Sequence, residues 1–147
     1  MTVFASKTDI QSWLQPDKIQ VDDANSQKAN IDATRIVKGQ LAGMFQPVVI
    51  ASWDSPDNTP ELIRSVTGRL TAAFMHANVY SEESDAEISA YSQWLYDGAM
   101  AVLAQILAGT MTVTDSNDNP VDTTGAGLLS FFPNDDSPLF TIGKQFS

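Results

Sequence analysis

Between residues 88 and 106 the apolar side chains Ile88, Tyr91, Leu95, Ala99, Val102 and Ile106 step by three or four positions. That spacing puts them along one side of an α-helix, close to a heptad seam. Ser84 with Glu87 reads as a capping box at its start, and Gly109 stands where a helix-ending glycine belongs. Trp94, Tyr96, Leu103 and Leu107 widen the stripe. About 24 residues at ~1.5 Å each make a rod of ~36 Å, long enough to be the central helix of a bundle. A chain built around such a rod must find other amphipathic helices to cover it.

The sequence supplies them. Thr8 with Gln11 suggests a capped short helix whose apolar face is Ile10, Trp13 and Leu14, ended by Pro16. Asp22 and Asp23 offer an N-cap and first-turn charge for a second helix running to about Gln46. Its stripe is Val37, Leu41, Met44, Phe45 and Val48. Pro47 closes it, Val48 to Ala51 reads as an extended connector, and Ser52 to Thr59 as a turn-rich loop. A third helix opens with Thr59 as cap, Pro60 at the first position and Glu61 on the dipole, ending near Asn78 to Tyr80. Its apolar positions are Leu62, Ile63, Val66, Leu70, Ala73, Phe74 and Ala77. The expected core is Leu41, Phe45, Leu62, Val66, Leu70, Phe74, Tyr91, Leu95, Val102 and Ile106.

After Gly109 the texture changes. Met111 to Thr114 reads as a strand, Asp115 to Pro120 as a turn, and Leu139 to Ile142 as a second short strand. Phe131, Phe132, Leu139, Phe140, Ile142 and Phe146 place heavy apolar side chains in a stretch rich in Asp, Asn, Thr, Gly and Pro. Such a segment either folds back over the bundle or orders against another subunit by strand addition or pocket insertion. The expected fold is therefore mainly α: a four-helix bundle-like domain over 1–110, and a C-terminal extended, β-like loop and arm over 111–147.

Composition narrows the function classes. The 147 residues make one domain, and no cysteine is present, so disulfides and thiolate metal sites are excluded and a reducing cytoplasm is suited. The opening MTVFASKTDI lacks the features of a signal peptide, and the most apolar run, Ala99 to Ala108, is about half a membrane span. The expectation is a soluble protein. Residues 1–46 carry five Lys/Arg against five Asp/Glu, whereas 82–147 carry ten acids against Lys144 alone, a net −9 of the chain's −10. No basic cluster exists to grip phosphate, which disfavours tight nucleic-acid binding and anionic membranes.

The chemical motifs fail when weighed. His76, the only histidine, falls just off an apolar stripe with no recognisable partner motif, as a boundary residue does. Glu82, Glu83, Asp85 and Glu87 sit where helix-start acids favour the dipole over a metal. Asp115, Asn117 and Asn119 have calcium-loop spacing, but Pro120 replaces the turn glycine and Ala126 the closing glutamate, leaving a turn cluster. Gly39 and Gly43 suggest a close helix crossing, within the bundle or with a neighbouring subunit. No phosphate loop, nucleophile elbow or metal motif appears, so no enzyme, cofactor or metal is expected.

The layout resembles the head–tail connector (head-completion adaptor) proteins of tailed double-stranded-DNA bacteriophages. The likeness lies in the short first helix, the acid-opened second, and a third reading Pro60-Glu-Leu-Ile-Arg…Leu70-Thr-Ala-Ala-Phe-Met. It continues through the acidic Tyr80-Ser-Glu-Glu junction, the long helix ending Ala104-Gln-Ile-Leu-Ala-Gly109, and the arm Pro138-Leu-Phe-Thr-Ile…Phe146. The resemblance covers nearly the whole chain, in layout rather than in a residue signature. It implies a virion protein, made in the host bacterial cytoplasm, that forms a ring, usually of twelve copies, beneath the portal. Such a ring extends the DNA channel, lets DNA pass without holding it, and offers a platform to the next head-completion (stopper) or tail protein. It further implies that Leu139, Phe140, Ile142 and Phe146 contact a neighbouring subunit or the portal. The competing reading is a small cytoplasmic helical regulatory or protein-interaction module.

Overall fold

The computed structural model describes residues 2–79 and 86–123 (of 86–89, the backbone alone). Among these the chain is mainly α-helical, with α1 at Lys7–Gln11, α2 at Asp23–Leu41, α3 at Pro47–Ala51, α4 at Glu61–Val79 and α5 at Ala86–Ala108. A 3₁₀ turn, Pro56–Asn58, precedes α4. Helix α4 is the hub: α1, α2 and α5 all pack on it, while α2 and α5 barely meet.

Local chemistry explains the boundaries. Ser6, not Thr8, caps α1, because Asp9 stands three residues on and its carboxylate takes both the Ser6 N–H (2.8 Å) and hydroxyl (2.9 Å). Gln11 then folds the following turn, donating to the carbonyls of Leu14 and Ile19 and accepting from the Val21 N–H at 2.9–3.0 Å. Asp22 caps α2 in a reciprocal pair with Asn25. That helix stops at Leu41 instead of reaching Gln46, since Gln46 precedes a proline and takes an extended ψ of 148°. Pro47 opens a helix rather than closing one. Its fixed φ suits the first position, so Pro47–Ala51 coils where an extended connector was expected. Val49 and Ile50 then pack on the core and Val48 faces outward, 70% exposed. Gly109 ends α5 with φ +82°, the left-handed turn that glycine adopts freely.

The largest buried cluster joins Phe4, Val37, Leu41, Phe45, Trp53, Ile63, Val66, Leu70, Leu103 and Ile106. Phe4 and Phe45 meet Trp53 edge-on at 5.7 and 5.5 Å. The N-terminal strap is pinned by buried polar groups of α2: Thr34 accepts from the Phe4 N–H at 3.1 Å and Asn30 donates to the Ala5 carbonyl at 2.8 Å. Of the expected core, Leu41, Phe45, Val66, Leu70, Leu95 and Ile106 are buried, and Leu62, Phe74 and Val102 partly so. Tyr91 is not core. The seam of α5 runs from Leu95 in steps of four, four and three to Ala99, Leu103 and Ile106, which turns Tyr91 to the border.

Two further expectations change. Among the described residues no strand forms at Met111 to Thr114. The Val121 N–H reaches the Val113 carbonyl at 2.9 Å and Thr114 pairs with Pro120 in one antiparallel bridge. Pro120 brings no N–H to extend that ladder. Val113 is nonetheless buried in the core, with Met111 and Val121 packed against it, so residues 111–121 fold back on the bundle. Among the described residues no close helix crossing forms at Gly39 or Gly43, where a Cβ would stand more than 4 Å from them. The tight crossing lies at Gly68 of α4, where a Cβ would come 2.9 Å from the Asp9 carbonyl oxygen of α1. The Ser84–Glu87 cap, the acids from Glu82 to Glu87, the second expected strand and the arm residues Leu139, Phe140, Ile142 and Phe146 lie outside the described residues or side chains.

Candidate protein-interaction site

Where α1, α4 and α5 meet, a guanidinium is held between two indoles. Arg69 leaves α4 towards α5 and donates from Nε to the Leu95 carbonyl and from Nη2 to the Trp94 carbonyl, each at 3.1 Å. Gly98 makes this approach possible: a Cβ there would stand 1.9 Å from Nη2. The guanidinium carbon is then 4.8 Å from the Trp13 ring centre and 4.3 Å from that of Trp94. Tyr91 stacks on Trp94 with centres 5.8 Å apart and planes at 21°, and its hydroxyl donates to the Trp13 carbonyl. Among the described residues no carboxylate pairs with Arg69, whose positive charge is met by carbonyls and ring faces alone.

This patch is open to solvent. Trp94 is 54% exposed and Tyr91 36%, although the rings are among the largest apolar groups in the molecule. Trp, Tyr and Arg are the residues that dominate protein–protein binding energy, because they bring large rigid area with a polar end. Sequence reading placed Trp13 and Tyr91 on apolar faces and gave Arg69 no role. One signal was available: Tyr96 lies on the opposite side of α5 from Trp94, so Tyr91, Trp94 and Tyr96 cannot all turn inward.

Two other surfaces carry charged side chains. Between α2 and α4, Asp32 is shared by Lys28 at 2.9 Å and Arg35 at 3.9 Å, above Ile36 and Phe74. At the start of α4, Asp57, Glu61 and Arg64 face Asp115, Asp118 and Asp122 across a groove. The Asp115 carboxylate is committed to its own turn, accepting the N–H groups of Asn117 at 2.9 Å and Asn119 at 3.1 Å. Among the described residues no group of three or more His, Cys, Asp or Glu is arranged around a metal position, and no helix is long and apolar enough to cross a membrane.

His76 does have a neighbour that the sequence did not reveal. Its Nδ1 lies 2.6 Å from the Ser92 hydroxyl, and its ring meets Tyr91 edge-on at 5.1 Å. Burial holds its pKa below the usual 6.5. A serine beside a histidine suggests a nucleophile and its base. Ser92, however, sits in the middle of α5, where surrounding N–H groups are spent on the helix ladder and cannot line an oxyanion site. The pair ties α4 to α5.

No model of a known protein family matches this chain, and neither does any curated protein or solved structure.

Proposed function

We propose that this chain is a structural ring subunit of a phage head–tail connector. It stacks beneath the portal, extends the DNA channel, and provides a docking platform for the next head-completion or tail protein. The observation that carries the assembly part of this reading is the open Trp13–Arg69–Trp94–Tyr91 patch on a packed helical subunit. The layout described above supplies the connector part. Charge is consistent with it: twelve copies at −10 each would carry about −120, and an acidic channel wall repels phosphates so that duplex can slide. In this reading the protein catalyses nothing and needs no cofactor.

Leu139, Phe140, Ile142 and Phe146 act here as the arm that reaches the neighbouring subunit or the portal. The test is to remove 137–147 and follow both folding, by circular dichroism melting, and assembly, by sedimentation and negative-stain imaging with and without a portal. Helical melting should persist while rings or portal attachment are lost. A full-length chain that stays monomeric and ignores the portal would instead point to a regulatory helical module.

A further inference from the structure

We propose that the Trp13–Arg69–Tyr91–Trp94 patch is the receptor for residues 131–140 of a neighbouring copy of this chain. The inference rests on the ring reading and names the surface that the arm of the next subunit would grip.

Three features of the patch define its occupant. It is aromatic and open, with Trp94 more than half exposed, so it takes apolar or proline side chains. It carries at its centre the charge of Arg69, which no carboxylate meets among the described residues, so it takes an acid beside them. Its rings are spaced regularly, Trp13 to Trp94 at 6.4 Å and Trp94 to Tyr91 at 5.8 Å. An extended chain presents side chains on one side every ~6.6 Å, close to that interval. The occupant is therefore an extended, aromatic, proline-containing segment with a central acid.

The chain holds one such segment, outside the described residues: Phe131-Phe-Pro-Asn-Asp-Asp-Ser-Pro-Leu-Phe140. In an extended conformation Phe131, Pro133 and Asp135 fall on one side, two groups for the rings and one for Arg69. Pro133 and Pro138 restrict the backbone before binding, which lowers the ordering cost. The acidic junction 80–87 has the charge but offers Tyr80 as its single ring, and so matches one feature of three. A patch on one copy and its complement on the next make a head-to-tail contact, the kind that closes into a ring when the rotation between copies divides the circle.

The decisive experiment uses two full-length variants, Trp94→Ser (patch lost, tail intact) and Asp135→Lys/Asp136→Lys (tail lost, patch intact). Each should melt as the parent does by circular dichroism, and each should self-associate more weakly by about 30-fold or more in sedimentation velocity, the loss typical of a hot spot. Mixed together they should form heterodimers, since each pair regains one intact contact and can extend no further. Rings formed by either variant at parental concentrations would overturn the proposal, as would a mixture that stays monomeric. Variants that still form rings but lose the portal would overturn it too, because the patch would then belong to the portal. If the parent itself never forms rings, the ring reading fails separately. Quenching of Trp94 emission by a synthetic 124–147 peptide then decides the contact alone, and no quenching sinks it.

Discussion

Helices α4 and α5 are both long and apolar, yet they are built for different surroundings. Helix α4 is approached by α1, α2 and α5, and it buries the small or slim residues Thr67, Gly68, Thr71, Ala72 and Ala73 beside Ile63, Val66, Leu70 and Met75. Small side chains let three neighbours come close. The buried hydroxyls cause no penalty, because Thr67 and Thr71 donate to the carbonyls one turn back at 2.8 and 2.7 Å. Helix α5 leans mainly on α4 through Leu95, Ala99, Leu103 and Ile106, and its remaining faces carry Tyr91, Trp94, Tyr96 and Leu107 into solvent. An apolar stripe therefore reports that a face will be covered. It does not say by which molecule.

That contrast can be broken at its base by truncating the two helices' innermost leucines. Leu70 and Leu95 are both fully buried, Leu70 among residues of three helices and Leu95 on the side of α5 that faces α4. Leu70→Ala and Leu95→Ala should each cost ~2–5 kcal/mol, with Leu70→Ala at the upper end because walls fixed on several sides collapse least into the void. Denaturant melts measure both. A Leu95→Ala protein as stable as the parent would mean that α5 is not truly docked on α4.

The glycines sharpen the comparison at lower amplitude. Gly68→Ala drives a Cβ against the backbone of α1, which cannot swing away as a side chain would, and should cost about 1–3 kcal/mol. Gly98→Ala meets only the mobile end of Arg69. Expelling the guanidinium sacrifices two hydrogen bonds and two ring contacts, while alanine returns ~1 kcal/mol of helix propensity, for a net loss of about 1 kcal/mol. The diagnostic readout for Gly98→Ala is a change in tryptophan emission at little change in melting. If Gly98→Ala proves the more damaging of the two, the Arg69 clamp holds the fold and not merely the patch.

What sequence revealed and what it hid divide along the range of the interactions involved. Signals carried by neighbours in the chain were legible: Asp22 and Asp23 at the start of α2, Glu61 in the first turn of α4, and Gly109 after α5. Local errors came where two local rules competed. The branched run Val48 to Ile50 favours extension, and the helix-starting geometry of Pro47 won. Thr8 and Gln11 matched a capping pattern, but Ser6 and Asp9 form the capping box two residues earlier, and Gln11 braces the turn to Val21. The candidate site was hardly legible at all. Trp13 and Arg69 reach Trp94 from 81 and 25 positions away, and only the packing of α1 and α5 on α4 brings them together. His76 and Ser92, 16 positions apart, meet for the same reason.

The smallest effect lies on the seam between the compared helices. His76 of α4 faces Ser92 and Tyr91 of α5, and partial burial disfavours its charged form, so its folded pKa lies below the unfolded 6.5. The sign follows from proton binding. Above about pH 7 both states hold a neutral imidazole and the residue adds no pH dependence. As the pH falls below 6.5 the unfolded chain takes up its proton first, so the fold loses stability. The loss grows until the pH passes the folded pKa, and then levels off. His76 is the chain's only histidine, so no second imidazole shares this window. Urea melts from pH 7.5 to 5.5 should therefore show stability falling with acidification in the parent, and a flatter profile in His76→Gln. A parent profile that rises on acidification would mean that the seam favours the imidazolium, and that α5 holds His76 in a wetter place than its contacts with Ser92 and Tyr91 describe.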